Sequence, residues 1–292
     1  MSPSKSEIID QVISQSAFRK NIYRMVPDQA RRILDFGCGS GGLLLRLLRD
    51  KHCTELYGLE LDPKVSGHLK GILDRLWNLN LEQSEAGLGQ EYENFFNFIL
   101  LHDVAEHLYD PWYTLCKLRK YLSPQGKLLI AVPNLQHWDF LYKILEGKFL
   151  YGHGLWHLGH IRWYTYLSFI ELLLVSGFEI EGLYLEIPYA VDLDKVRALP
   201  SMHTVQLPPM EIQSDLPGLR PISLTFERDM RRAYPLFLAH KLMAVCRKGP
   251  GTVTLPPFGD NCDILVQARG LLDLPFDLDH LPAMTELIGD WC

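Results

Sequence analysis

The chain has 292 residues, 47% of them hydrophobic, with 29 Lys and Arg against 35 Asp and Glu for a formal net charge of −6. That length holds one large domain or two modest ones, with enough apolar content to bury a full core. The acidic balance argues against a long nucleic-acid surface, which needs clustered Lys and Arg, and no run of 18 apolar residues marks a membrane span.

Residues 6–25 read as one helix leading into a first strand at 31–36. A helix near 42–50, a strand at 54–60 and a helix near 63–76 follow. A third strand is expected around 78–83 and a fourth, strongly apolar, at 96–101. Asp110-Pro111 opens a helix at 112–122, because proline at a helix start lacks only an N–H that the helix does not use. Residues 123–126 turn the chain and 127–132 make strand five. An aromatic-rich stretch then runs from His137 to Tyr166, and a helix at 167–176 ends at Gly177 before strand six at 178–186. Residues 190–222 are proline-rich and aperiodic; with a helix expected near 223–234, an insertion or lid spans 190–235. The last strand is expected at 242–246, and 249–292 reads as a C-terminal extension whose role the sequence leaves open. Apolar strands alternating with helices predict an α/β chain: a doubly wound, mostly parallel seven-stranded sheet with helices on both faces. One domain over 1–248 follows, with its ligand at the C-terminal ends of the strands.

The N-terminal residues lack the apolar core of a signal peptide, and six cysteines at 38, 53, 116, 246, 262 and 292 form no CxxC pair. Reduced thiols and a cytoplasmic location are therefore expected. The expected partner is a small molecule, with no nucleic acid and no membrane span; a homodimer is left open.

The most informative run is 33–42, where an apolar strand carries Asp35 and then breaks into Gly37, Gly39, Gly41 and Gly42 before a leucine-rich helix. Glycine permits positive φ and lets a ligand lie against bare backbone. A second strand ends in Glu60, an acid placed to accept hydrogen bonds from ribose hydroxyls. Gly37, Gly39 and Gly42 also satisfy G-x-G-x-x-G, so a nicotinamide dinucleotide is one reading. Asp35 argues against it: a carboxylate there repels a pyrophosphate and attracts a cationic amino-acid end. Asp35 to Gly41, with Glu60, resembles motif I and the following acidic position of class I S-adenosylmethionine (SAM) methyltransferases. The resemblance implies a Rossmann-like fold with SAM as cofactor. Its implied contacts are Asp35, Gly37, Cys38, Gly39, Glu60, Leu61, His102 and Asp103, with Gln83 or Ser84 near the adenine. Cys38 reads as a small packing residue rather than a nucleophile.

Residues 102–111, which include Asp103, Glu106, His107 and Asp110-Pro111, are similar to the Asp-x-x-Glu-His-Leu-x-Asp-Pro stretch of a large methyltransferase subfamily. That subfamily includes enzymes of ubiquinone biosynthesis, cell-surface sugar decoration and natural-product tailoring. Residues 157–165, with His160 and Arg162, resemble its His-x-Arg-x-aromatic-Thr segment. Methyl transfer from a sulfonium requires a nucleophile aligned with the methyl and stripped of its proton. Histidine titrates near neutrality, so His160 and His107 are the candidate bases, with Glu106 beside them; His102, His137, His153 and His157 are weaker choices. Asp103, Glu106 and His107 would share one side of a helical turn, and with His160 from the later loop they form a donor set for Mg²⁺ or a similar divalent ion. The resemblance carries the same implication, although Asp103 has a shorter reach than the Glu of metal-binding relatives. A hydrogen-bond network beside SAM is the alternative. The aromatics of 138–164 read as a substrate wall or as core, and Arg162 as an anion partner or a loop clamp.

The reading is a SAM-dependent methyltransferase that O-methylates a small hydroxylated molecule, a sugar or natural-product intermediate, with a histidine base. N-methylation is the near alternative. An NAD-dependent oxidoreductase and a non-catalytic SAM-fold partner protein are the alternatives from other classes.

Overall fold

The computed structural model describes residues 4–83, 85–145, 147–187, 202–206, 223–227, 236, 239–251 and 284–288. The element order begins α1 (Lys5–Gln15), α2 (Lys20–Met25), β1 (Arg31–Phe36), α3 (Gly42–Lys51), β2 (Thr54–Leu59), α4 (Pro63–Ser66) and β3 (Arg75–Trp77). It continues β4 (Phe96–His102), α5 (Pro111–Arg119), β5 (Leu122–Pro133), α6 (Trp138–Leu145), α7 (Tyr166–Val175) and β6 (Phe178–Ile187). The last strands are β7 (Met202–Gln206), β8 (Ser223–Glu227), β9 (Lys241–Lys248) and β10 (Met284–Ile288).

The main sheet runs β10-β6-β9-β5-β4-β1-β2-β3. Its neighbours are parallel, except that β9 lies antiparallel between β5 and β6. This is the Rossmann-like, doubly wound, mostly parallel sheet predicted from the sequence. The seven expected strands are present, and Met284–Ile288 adds an eighth beside β6. Strand alternation sends neighbouring residues to opposite faces. Ile33, Leu100 and Leu129 pack with Ile13, Ile22, Leu44 and Leu47 of the first three helices. Leu34, Ile99, Leu101, Leu128 and Ile130 pack with Leu115, Leu118, Phe169 and Leu173 of α5 and α7.

Five expected elements are corrected. Residues 123–126, expected to turn the chain, lie within β5. The single helix over 6–25 is two helices. The Arg46 guanidinium hydrogen-bonds the carbonyls of Ile13 and Ser16, and Ser16 packs so closely on Gly42 that a Cβ there would lie 2.3 Å away, so α1 ends where it docks on α3. The helix over 63–76 stops at Ser66 and a following single turn, after which Lys70 is extended and Gly71 adopts φ +79°. The third strand lies at Arg75–Trp77 rather than 78–83, paired with Tyr57–Leu59 of β2. Residues 223–227, expected as the start of a helix, are β8, paired antiparallel with β7. Most of the expected insertion and of the C-terminal extension lies outside the described residues.

The topology assembles one rim. The parallel strands β1, β2, β4 and β5 end there in Phe36, Leu59, His102 and Pro133. Because β9 runs the other way, its first residue, Lys241, pairs with Pro133 and arrives at the same rim.

Candidate functional site

The glycine corner is built at the end of β1. The N–H groups of Gly37 and Cys38 both donate to the Leu59 carbonyl, at 2.8 and 3.1 Å, which ties the loop to the end of β2. Gly37, Gly39 and Gly41 have φ of +76°, +54° and +82°, values that disfavour a side chain. A Cβ on Gly37 would lie 2.5 Å from Val104 Cγ2, whereas a Cβ on Gly39 would meet nothing within 4 Å. The loop is packed at its start and open at Gly39, as a cradle for a ligand must be. Glu60 Oε2 accepts the Gly39 N–H at 2.9 Å and Oε1 accepts the Asp62 N–H at 3.1 Å, so this carboxylate follows the cradle from the tip of β2.

Asp35 is fully buried, and neither carboxylate oxygen has a hydrogen-bond partner. Burial pushes its carboxyl up to about 6; the Arg19 charge opposes this and the Glu60 charge adds to it. A buried carboxylate without a donor is costly, and a cationic ligand would offset that cost. The ammonium group of SAM supplies such a cation, and the open cradle at Gly39 gives its backbone room, so these residues fit the cofactor. Cys38 is buried and burial pushes its thiol up, which suits packing and not nucleophilic chemistry. Leu61 is exposed beside the corner, Gln83 lies in the turn held by Lys117 Nζ at 2.6 Å, and Ser84 lies outside the described residues.

The second half of the site joins two stretches that lie over fifty residues apart in sequence. The N–H groups of Ile161 and Arg162 both donate to the Glu106 carbonyl, at 2.9 and 3.0 Å. The Tyr164 hydroxyl donates to the Ala105 carbonyl at 3.1 Å. Arg162 Nε donates to the Tyr109 carbonyl at 3.1 Å, the loop-clamp role among its two readings. These bonds bring His160 beside His107, ring centroids 4.8 Å apart, and His157 within 5.5 Å of His107. Phe140, stacked on Trp156 at 4.2 Å, and Trp163, 5.4 Å from His160, form a supporting cluster behind the imidazoles.

A cavity of about 330 Å³ opens here, lined among others by Asp103, Glu106, His107, His157, His160 and Lys241. Two of its imidazoles have assignable tautomers, because a carbonyl can only accept. His107 Nδ1 donates to the Gly159 carbonyl at 2.9 Å and His160 Nδ1 to the Leu155 carbonyl at 3.2 Å, leaving the Nε2 lone pair of each neutral ring available. His157 is opposite: its Nδ1 accepts the Gly159 N–H at 3.1 Å, so its neutral ring carries a proton on Nε2. Burial, helped by the His107 charge, lowers the His160 pKa to about 4, so this ring is neutral at pH 7. Glu106 is 1% exposed with neither oxygen hydrogen-bonded, and its Oε1 lies 3.9 Å from His160 Nε2. Burial, reinforced by the Asp103 charge, pushes its carboxyl up to about 8, so it is a protonated acid at neutral pH.

Asp103 stands in a left-handed conformation, φ +58°, at the end of β4. Its Oδ2 accepts from Lys241 Nζ at 2.6 Å and lies 3.0 Å from His102 Nδ1, while Lys241 Nζ is 3.4 Å from His102 Nε2. Burial pushes the Asp103 carboxyl up, but His102 and then Lys241 outweigh it and hold the group well below the usual range. His102 is buried, and burial with the Lys241 charge lowers its pKa.

The structure therefore gathers the sequence-predicted residues into two adjoining groups. Asp35, Gly37, Cys38, Gly39 and Glu60 make the corner; Asp103, Glu106, His107 and His160 line the cavity, and His102 lies behind Asp103. Val104, between them, packs on Gly37. Sequence reasoning missed Lys241, which carries no motif and reads only as the residue before an apolar strand. It also placed His157 among the weaker bases and saw no role for its position beside the other two rings.

A family profile described as a methyltransferase domain matches residues 12–183. A ubiquinone biosynthesis O-methyltransferase of Cereibacter sphaeroides is 27% identical over 161 residues, covering 51% of this chain and 60% of that protein. One of Coxiella burnetii is 24% identical over 133 residues, covering 45% of this chain and 56% of that protein. The chain thus spans less than two thirds of the length of these curated relatives. In fold it is similar to a SAM-dependent methyltransferase of Archaeoglobus fulgidus, with a TM-score of 0.50 at 14% identity over 82% of this chain and 94% of that one. It is similar to the same degree to one of Mesorhizobium loti, with a TM-score of 0.50 at 14% identity over 81% of this chain and all of that one.

Proposed function

The chain belongs to the methyltransferase-domain family, and from that premise we propose that it moves a methyl group from SAM to a hydroxyl oxygen of a small acceptor, a sugar or natural-product intermediate. The observation that carries the reading is the cavity beside the glycine corner, where two imidazoles each present an Nε2 lone pair and buried carboxyl oxygens await a donor. Low-identity likeness to ubiquinone O-methyltransferases supports oxygen as the target atom.

Bound SAM supplies an electrophilic methyl on a cationic sulfur. Asp35 would receive its ammonium end, Gly37 to Gly39 would lie along its chain, and Glu60 would accept from its ribose hydroxyls. His107 takes the acceptor's proton: its Nε2 is free to accept, and the exposed ring passes the proton to water. His160, kept neutral by burial, orients the hydroxyl as an acceptor but is a poor place for a full positive charge. Glu106, protonated at neutral pH, donates a hydrogen bond to the acceptor rather than removing a proton.

The test is transfer of labelled methyl from SAM to matched panels of hydroxyl and amine acceptors. Label on hydroxyl acceptors, lost in His107→Ala, is the expected result. Label on amines alone, insensitive to His107→Ala, refutes O-methylation, because an amine needs less activation.

A further inference from the structure

The donor set of Asp103, Glu106, His107 and His160 does not fit the divalent ion that the resemblance implies. Hard cations such as Mg²⁺ are held by carboxylate oxygens. Asp103 already faces a cation: Lys241 Nζ lies 2.6 Å from its Oδ2, which leaves its buried Oδ1 as the one uncommitted oxygen of that carboxylate. An ammonium at that distance repels a second cation placed on the same group. His157 does not make good the loss. Although the ligand atoms of His107, His157 and His160 lie within 4.8 Å of one another, the His157 Nδ1 lone pair is already taken by the Gly159 N–H, and the other nitrogen of its neutral ring carries the proton.

We infer that Lys241 takes the place of the divalent ion, its ammonium being the fixed positive charge of the acceptor cavity. Three features of the fold put it there. Strand β9 is antiparallel, so its first residue comes to the rim opposite Pro133. Asp103 adopts φ +58°, a conformation that Asp tolerates better than most residues, and its carboxylate holds the ammonium. His102 Nε2, 3.4 Å away, holds it from a second side. An ammonium carries three N–H groups, two of which these partners engage, and Lys241 lines the cavity with Glu106 and His160. A hydroxyl losing its proton there meets a cation that no chelator removes. This inference rests on the proposed methyl transfer only for what the cavity holds; the exclusion of the ion stands on the residues alone.

The experiment uses the full chain, stripped with EDTA and dialysed, and titrates Mn²⁺ alone by electron paramagnetic resonance. Wild type is expected to bind Mn²⁺ at least tenfold more weakly than Lys241→Met, in which Asp103 has lost its cation. Lys241→Arg, which keeps the charge, should behave as wild type, and Asp103→Asn in the Lys241→Met background should abolish the gain. Calorimetry of S-adenosylhomocysteine (SAH) binding on the same samples checks that each variant is folded; its failure in wild type would count against the SAM reading without touching the Mn²⁺ contrast. Should Lys241→Met misfold, Lys241→Gln carries the same comparison. Equal Mn²⁺ affinity in wild type and the charge-removed variant overturns the inference, as does wild-type binding that Asp103→Asn abolishes.

Discussion

Replacing Asp35 with Asn should make the ligand-free protein more stable and a worse binder. Both Asp35 oxygens are buried without a hydrogen-bond partner, and the carboxyl is pushed up to about 6 from 3.8, chiefly by burial. That difference of about 2 pH units corresponds to about 3 kcal/mol of destabilisation once the group is ionised in both states, at 1.36 kcal/mol per unit. Below about pH 4 the group is protonated in both folded and unfolded chains and costs nothing. From there to about pH 6 the unfolded chain ionises first, and folded stability falls; above it the penalty is complete. Asn stands in for the neutral acid, so Asp35→Asn should match wild type near pH 4 and unfold roughly 6–12 °C higher at pH 8. Thermal unfolding across that range reads this directly. SAH should close the gap, because its ammonium meets the carboxylate only in wild type; calorimetry should show the variant binding SAH at least tenfold more weakly. A variant no more stable than wild type at pH 8, or a gap that does not narrow toward pH 4, refutes the claim that Asp35 is an uncompensated buried charge awaiting a cation.

Gly37→Ala should cost about 2–5 kcal/mol, from a strained positive φ plus overpacking on Val104, while Gly39→Ala, with open space around its Cβ, should cost only the conformational part of about 1–2 kcal/mol. Their order should reverse in the ligand's favour: the mild Gly39 variant should lose SAH affinity, and equal melting temperatures for the two would contradict the packing described. Glu60→Ala should weaken SAH binding at least tenfold by removing the acceptor of the Gly39 N–H, and unchanged affinity by calorimetry would take Glu60 out of the site. His107→Ala should lower kcat on a hydroxyl acceptor several hundred-fold and His160→Ala about tenfold; the reverse ranking would make the buried ring the base. Turnover of wild type should survive EDTA dialysis, and restoration by Mg²⁺ after a loss would show a required ion.

The glycine corner was legible because its information is local: an apolar strand, glycines where φ must be positive, and a helix follow one another within twenty residues. Strands β4 and β5 were legible as apolar runs for the same reason, and β6 followed from the helix stop at Gly177. The elements that went astray depend on partners elsewhere. Residues 223–227 become a strand only because Met202–Gln206 lies alongside. Helix α1 ends early because Arg46, thirty residues on, takes its last carbonyls. In the site, Asp103, Glu106, His107 and His160 were found from their spacing and their likeness to a known stretch, but their states were not. Burial that leaves Glu106 protonated, and the Lys241 that holds Asp103, are properties of packing, and Lys241 enters through a strand order that no local pattern encodes.

The interposition of β9 between β5 and β6 also bears on how the molecule comes into being. While the chain emerges from the ribosome, β1 to β5 can pair as they appear, but β6 has no neighbour to join until some sixty residues later. Until then β5 and β6 present unpaired edges, and the apolar residues on them wait for a cover. A fragment ending at Ile187 would be left permanently in that condition, although it contains most of the recognisable sequence. The joining of β5 to β6 and the arrival of Lys241 are the same late event, so a chain interrupted before it has neither a finished core nor a charged cavity.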